Sequence, residues 1–383
     1  MRFGINIPQV IFGEGASLET GKKLKEFGIT KVLCVYDKGV KAAGIVDDIL
    51  KTIHEEGIVT VLFDGVLPDP PDTLVDQAAE LGIEAGVDGL LGIGGGSTMD
   101  TTKAINILLG NPGPVSIYFD MSIPQKPAKP LFLIPTTSGT GSEVTGVAVL
   151  SNTKKGTKQG ILGKNCTATL TIVDPALTLG VPPHITAATG MDVFSHAAEA
   201  LTASINNPMS DILALEAITL VTKYLPVAVR DGSNLEARTK MSFASMIAGI
   251  SFNNSMTHIG HSMAHSIGAK YHVPHGTACA IATPGVVEFV SDIMPEKIKA
   301  IGNAMGLNLK DTLSGKEAGE IVAKAVRDLN RKTGIPTLKQ LNIPESGLAE
   351  IAAATLEDGC IFFSPKKAMF EEVLKILKKE YAN

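Results

Sequence analysis

Leu90-Leu-Gly-Ile-Gly-Gly-Gly-Ser-Thr-Met-Asp100 is an apolar, strand-like run that passes through three glycines into a helix-like segment. Such a turn lets backbone N–H groups approach an anion at the start of a helix, where the helix dipole favours negative charge. Taken alone, the glycines fit a tight packing turn equally well. The flanks settle the class of fold. Residues 32–36, 59–63 and 131–134 are further short apolar runs bounded by Gly, Pro or Asp, and they read as buried strands. Helix-like segments lie between them. Ser17 is placed to cap one that stops before Gly28, and Asp72 or Thr73 one that stops before Gly86. Strands separated by single helices imply parallel pairing through right-handed crossovers, hence an open α/β sheet. From about Thr186 long helical patterns follow one another, as in residues 211–230 and 236–252, with no strand among them. Pro182 and Pro183 mark the boundary. The expected architecture is an α/β domain over residues 1–183 and an all-α domain over 184–383, with ligands bound in a cleft between them.

Composition narrows the function. The chain has 383 residues, 44% of them hydrophobic and 19% charged, with a net charge of −5. That balance suits a globular protein and lacks the basic stripe that nucleic acid requires, so no nucleic-acid partner is expected. The N-terminus MRFGINIPQV carries no apolar signal core, and no apolar run approaches the roughly 20 residues of a membrane span. Four scattered cysteines without a CxxC pair fit a reducing compartment. The expectation is a cytoplasmic protein without a membrane partner.

A second glycine segment, Pro135-Thr-Thr-Ser-Gly-Thr-Gly-Ser-Glu143, follows the strand at 131–134. Its hydroxyls and glycines offer hydrogen bonds, with room for a phosphate and a ribose, beyond what a structural loop needs. Asp37 follows the strand at 32–36. An acidic residue there can accept from an adenosine ribose and repel a 2′-phosphate, favouring NAD over NADP; a helix cap is the plainer alternative.

Five of the eight histidines fall in Thr257-His-Ile-Gly-His-Ser-Met-Ala-His-Ser-Ile-Gly-Ala-Lys-Tyr-His-Val-Pro-His-Gly276. His261 and His265 are i,i+4, so a helix projects both from one face, with His258 one turn earlier. His275 reads as a turn residue between Pro274 and Gly276. Upstream, Gly190-Met-Asp-Val-Phe-Ser-His-Ala-Ala-Glu199 puts Asp192 and His196 at the same spacing. One such pair could be a cap or an ion pair. Two pairs and a turn histidine in one helical domain point to a divalent metal. With imidazole, one carboxylate and no thiolate, the donors suit Fe(II) or Zn(II).

The chain resembles the iron-dependent (group III) alcohol dehydrogenases over essentially its whole length. The resemblance rests on GGGSTMD at 94–100, PTTSGTGSEVT at 135–145, TGMDVFSHAAEA at 189–200 and GHSMAHSIGAKYHVPHG at 260–276. It implies a Rossmann-like N-terminal domain and a helical C-terminal one, an architecture shared with dehydroquinate synthase and glycerol dehydrogenase. It implies Asp192, His196, His261 and His275 as metal ligands, with His265 a non-ligand histidine near the substrate. It places Gly96 and Ser97 at the pyrophosphate, Gly95 and Asp100 among the cofactor-binding residues, Thr136, Thr137 and Thr140 at the nucleotide, and Lys158 at the ribose near the nicotinamide. Asp37 stands where NAD-preferring members carry aspartate. Departures are Asp69 in Pro68-Asp69-Pro70, where Asn is usual, Cys279 where Asn is common, and Ser364-Pro365-Lys366 for Asn-Pro-Arg. His258 is not part of the shared motif.

The implied activity is NAD-dependent hydride exchange with a small primary alcohol, a diol or the aldehyde, in a homodimer or larger homo-oligomer. Fe(II) is the expected ion, with Zn(II) possible. His265 is the candidate proton relay, because imidazole titrates near neutrality. His258, Phe252 and Cys360 are pocket candidates, with core packing the alternative for the last two. Rival readings are a zinc-dependent, glycerol-type polyol dehydrogenase and a dehydroquinate synthase-like lyase. The lyase would need several Lys and Arg close to the metal ligands, whereas the only basic residues between Thr186 and Gly276 are Lys223, Arg230, Arg238, Lys240 and Lys270.

Overall fold

The computed structural model describes residues 4–383, which fall into two compact units. One comprises Ile7–Thr137 and Gly141–Gly180; the other gathers Ser138–Thr140, Val181–Asn383 and the described residues before Ile7.

The first unit is an α/β layer. Strands β1 (Gln9–Phe12), β2 (Lys31–Tyr36), β3 (Val59–Phe63), β4 (Gly89–Gly94), β5 (Leu131–Pro135) and β8 (Leu170–Val173) form one sheet in the order β1-β8-β5-β4-β2-β3. Every pairing in it is parallel. Helices α1 (Thr20–Glu26), α2 (Lys38–Ala42), α3 (Ile45–Glu55), α4 (Asp72–Ala85) and α5 (Gly96–Leu108) connect the strands. Strand residues alternate between two apolar clusters. Leu33 and Val35 join Val75 and Ala78 of α4 and Ile105 and Ile107 of α5. Val32, Cys34 and Tyr36 join Leu24 of α1 and Ile49 and Ile53 of α3. A parallel sheet covered on both faces requires such all-apolar strands, and each wholly buried aliphatic chain contributes roughly 1.5–3 kcal/mol.

The parallel α/β sheet followed by helices agrees with the expectation from sequence, with differences in detail. The four-residue strands β1, at the sheet edge, and β8, between β1 and β5, are not among the runs that read as strands from sequence. An antiparallel hairpin, β6 (Val147–Asn152) with β7 (Thr157–Leu162), also went unforeseen. Ser17 caps no helix: it lies in a 3-10 turn and donates to Asp174 Oδ2 at 2.6 Å. Pro71, not Asp72 or Thr73, occupies the N-cap of α4, which ends as expected at a left-handed Gly86.

The second unit is helical: α6 (Pro183–Thr202), α7 (Pro208–Arg230), α8 (Leu235–Asn253), α9 (Ile259–Tyr271), α10 (His275–Val290), α11 (Pro295–Ala304), α12 (Gly315–Thr333), α13 (Leu348–Thr355) and α14 (Phe370–Ala382). Pro183 opens α6 at the first-turn position, where a missing N–H costs nothing. α6 packs on α7, α8 and α10, and α10 also packs on α9. By length and composition α7 is apolar enough to cross a membrane, contrary to the expectation that no run approached that length. Its buried residues, Ala214, Ala217, Ile218, Val221 and Leu225 among them, mark a helix with one face in a protein core, which needs the same apolar content.

Candidate metal centre and nucleotide turns

Three helices of the second unit each present donors one turn apart. α6 carries Asp192 and His196, α9 carries His261 and His265, and α10 carries His275 and Cys279. The last pair exists because of a local stop and restart. α9 ends at His272 in the left-handed region, with φ of 54°. Pro274 then blocks helix continuation and serves as N-cap, so His275 is the first residue of α10 and not a turn residue. The adjoining Gly276 allows this helix start to sit against α6; a Cβ there would stand 2.2 Å from the Ala188 carbonyl oxygen.

Asp192 lies at the centre. Its Oδ1 is 3.6 Å from His275 Nε2 and 4.0 Å from His261 Nε2, and its Oδ2 is 3.9 Å from His196 Nδ1. The His196 and His261 ring centroids are 4.6 Å apart. All four implied ligands are therefore brought together. Asp192 Oδ1, His196 Nδ1 and His261 Nε2 are buried and find no hydrogen-bond partner among the described residues. An unsatisfied buried polar atom costs about 1–3 kcal/mol, so three facing one another is an arrangement that a bound cation relieves. Burial pushes the Asp192 carboxyl up to about 6, and burial followed by the neighbouring His261 holds His196 well below the usual imidazole range. A carboxylate and imidazoles facing inward, His196 neutral among them, fit a divalent transition metal.

The donor set differs from the sequence reading in one respect. Cys279 Sγ lies 3.5 Å from His275 Nε2, and the donor atoms of Asp192, His261, His275 and Cys279 all lie within 4.8 Å of one another. A thiol is thus present after all. It was hidden because its i,i+4 relation to His275 exists only once α10 starts at that histidine.

Two carboxylates that sequence reasoning passed over orient the imidazoles. Glu199 Oε1 pairs with His261 Nδ1 at 2.8 Å, while Oε2 accepts from the backbone N–H of His258 at 2.5 Å and Gly260 at 3.2 Å. This bond turns His261 Nε2 toward Asp192, the arrangement by which a carboxylate fixes the tautomer of a metal-binding histidine. Burial pushes Glu199 up, but His261 and His258 outweigh it and hold its carboxyl below the usual range. Its signal was legible: Asp192, His196 and Glu199 are i, i+4 and i+7 on one helix face. Asp358 gave no such signal, lying 93 residues from its partner His265. Its Oδ2 pairs with His265 Nδ1 at 2.9 Å, and its Oδ1 accepts from Ser262 Oγ at 3.0 Å and Cys360 N–H at 2.9 Å. Burial opposes the charge, yet these bonds hold the carboxyl down at about 2. The His265 ring stacks on His275 at 5.4 Å between centroids.

The other pocket candidates divide. Phe252 stacks on His196, with centroids 4.3 Å apart. His258 stands at the N-cap of α9, wholly buried, with Nε2 on Thr202 Oγ1 at 2.9 Å, so it pairs with structure and not with the donor cluster. Cys360 groups with His265 and Asp358, and burial raises its thiol well above the usual range.

In the α/β unit, β4 runs through Gly94 and Gly95 directly into α5. A Cβ on Gly94 would stand 2.4 Å from Thr98 Oγ1, so the close return of the helix demands glycine. Gly95 caps α5, and half-buried Gly96 and Ser97 open it, where the first N–H groups lack helical acceptors. Thr136 N–H donates to the Gly94 carbonyl at 3.0 Å, and Thr137 Oγ1 borders Gly95. Ser138–Thr140 group with the helical unit, where Ser138 Oγ meets Ser242 Oγ at 3.0 Å; Thr140 is thus assigned apart from Thr136 and Thr137.

Asp37 is an N-cap, of α2: Oδ1 accepts from Gly39 and Val40 N–H, while Oδ2 has a longer contact, 3.4 Å, from Thr98 Oγ1. Asp100 is engaged internally, with Oδ1 accepting from Ser142 Oγ at 2.6 Å and Oδ2 from Val149 N–H at 3.0 Å. Its neighbour Lys103, wholly buried and missed from sequence, donates to Ser142, Thr145 and the Val147 carbonyl, so both residues hold the loop after β5 onto α5. Lys158 donates to Asp69 Oδ1 at 2.6 Å, an ion pair made by the aspartate that departs from the family pattern.

Residues 8–175 match the model of a family described as iron-containing alcohol dehydrogenase, and residues 186–381 that of the Fe-containing alcohol dehydrogenase family, C-terminal. The chain is 38% identical to a 1,3-propanediol dehydrogenase of Citrobacter freundii, covering 99% of both chains. It is 34% identical to an NAD-dependent methanol dehydrogenase of Bacillus methanolicus, covering 97% of both. The solved structure of a 1,3-propanediol oxidoreductase superposes with a TM-score of 0.95 at 36% identity, covering 99% of this chain and 100% of that one.

Proposed function

The chain belongs to the iron-containing alcohol dehydrogenase family, and we propose from that premise that it exchanges a hydride between NAD and a small primary alcohol, diol or aldehyde. The observation that carries this reading is the inward-facing cluster of Asp192, His196, His261 and His275 with its unpartnered buried atoms. We assign metal binding and catalysis to residues 184–383 and the nucleotide to residues 1–183. A divalent iron held by the four ligands would supply Lewis-acid stabilisation of negative charge on the alcohol oxygen, and NAD would supply the hydride acceptor.

The remaining steps belong to the chain. Asp192 offsets part of the cation's charge, and Glu199 keeps His261 Nε2 facing it. Because His265 Nδ1 is committed to Asp358, Nε2 is the nitrogen that takes the hydroxyl proton and passes it on. Gly95, Gly96 and Ser97 present the start of α5 to the pyrophosphate. Thr136, Thr137, Thr140 and Lys158 line the nucleotide, with Asp100 holding their loop in place. Homologues named as alcohol and diol dehydrogenases favour this reading over a glycerol-type polyol dehydrogenase or a lyase. The lyase is further disfavoured because Arg238, the buried arginine of this unit, spends its guanidinium on Thr186 and the carbonyls of Val181 and Gly232. Anaerobic Fe(II)-loaded protein should reduce NAD with short alcohols or diols, lose activity in air and regain it with Fe(II) under reductant. Failure in both directions across such a panel, with metal bound, would refute the proposal.

Cofactor preference rests on Asp37. With Oδ1 occupied by the cap, Oδ2 is the oxygen available to an adenosine ribose. Asp37→Gly should shift the NADP-to-NAD ratio of kcat/KM by about tenfold toward NADP, the effect of roughly 1.4 kcal/mol of removed repulsion. Glycine is the informative choice, since it costs a helix cap only about a few tenths of a kcal/mol. An unchanged ratio would place the carboxylate outside the ribose site.

A further inference from the structure

We propose that Cys279 supplies a sulfur donor to the metal centre, biasing it toward zinc relative to a centre of oxygen and nitrogen alone. The inference rests on the ligand site proposed above and deepens it. Its first support is helical geometry. His275 and Cys279 face the same way one turn apart at the start of α10, as Asp192 and His196 do on α6. The second is distance. Bonds of about 2.0–2.2 Å to nitrogen or oxygen and about 2.3 Å to sulfur put two donors of one tetrahedral ion roughly 3.3–3.6 Å apart. Cys279 Sγ and Asp192 Oδ1 lie 3.5 Å and 3.6 Å from His275 Nε2.

The third support comes from the other donors, beside which the Cys279 thiol is hydrogen-bonded to the Asp192 carboxylate. Asp192 Oδ1 and His261 Nε2 are buried without hydrogen-bond partners, and both belong to the same compact group as the sulfur. His196 approaches from elsewhere, its Nδ1 lying near the other oxygen of Asp192. The cluster therefore offers one carboxylate, two imidazoles and one sulfur within 4.8 Å of one another, the two contacts to His275 at tetrahedral spacing and the His261 contact to Asp192 wider at 4.0 Å, with His196 as a further nitrogen. Binding would replace the S–H bond by a sulfur–metal bond and release the proton to solvent, with no change of oxidation state. Thiolate is a soft donor, so its presence favours zinc beyond the advantage zinc already has over Fe(II) at nitrogen and oxygen sites.

The test is metal-substitution spectroscopy on the full-length protein, with Cys279→Asn and Cys279→Ser as variants. After chelator treatment, anaerobic loading with Co(II) should give wild type a near-ultraviolet thiolate-to-cobalt charge-transfer band. Both variants should bind Co(II) without that band. Zn(II)/Fe(II) competition, read by metal analysis, should show the preference for zinc falling about tenfold in Cys279→Asn. X-ray absorption of the zinc form should show one sulfur neighbour at about 2.3 Å in wild type only. Stoichiometric Co(II) binding by wild type with no charge-transfer band would overturn the sulfur ligand and leave the four-ligand site standing. Failure of wild type to bind any of the three ions would overturn that site as well. Two substitutions of different size guard against a folding defect, since serine nearly preserves the cysteine volume.

Discussion

His261→Ala is expected to lose its bound divalent metal and at least about a thousandfold in turnover, or roughly 4 kcal/mol of transition-state stabilisation. His261 is the ligand with the fewest substitutes. Its Nδ1 is held by Glu199, its Nε2 has no other partner, and its ring neighbours those of His196 and His275. The same loss is expected for His275→Ala. Glu199→Gln should act more gently, lowering metal affinity by about 10–100-fold, because it weakens the bond that orients His261 without removing a donor. Metal analysis of anaerobically purified protein, alongside NADH titration, separates these effects, since NADH binding should survive in each variant. Full metal occupancy in His261→Ala would sink the ligand assignment.

His265→Ala should keep the metal while kcat falls by about 10²–10⁴-fold, the usual contribution of a positioned proton-transfer group. Added imidazole should restore part of the rate. Asp358→Asn should lower kcat in the wild-type background, because the carboxylate fixes which nitrogen of His265 carries the proton. In the His265→Ala background it should do nothing further, as expected for residues acting as one unit. Loss of metal in His265→Ala would make that residue a ligand and reopen the roles of His261 and His275. Additive effects of the two substitutions would show that Asp358 acts on something other than His265.

The parallel sheet was legible because strands buried on both faces must be apolar throughout, and because glycine is demanded where β4 returns into α5. Likewise, Asp192 with His196 and His261 with His265 were legible as pairs, because helical geometry converts a spacing of four into a shared face. These signals are local, carried within a few residues of one chain segment. Other features depended on contacts between segments. Glu199 became the support of His261 only when α6 met the start of α9, and Asp358 reached His265 from a turn far along the chain. Asp100, at the end of the glycine-rich motif, and Lys103, three residues beyond it, hold the loop after β5. Cys279 shows the difference most clearly. Whether it faces the metal ligands depends on where α10 begins, and that start is set by the left-handed His272, by Pro274 and by the space at Gly276 against α6. Sequence spacing specifies directions within one helix. Convergence of three helices on Asp192 is decided by the packing of α10 on α6 and α9, which leaves buried donors unpaired at the point where a cation would bind.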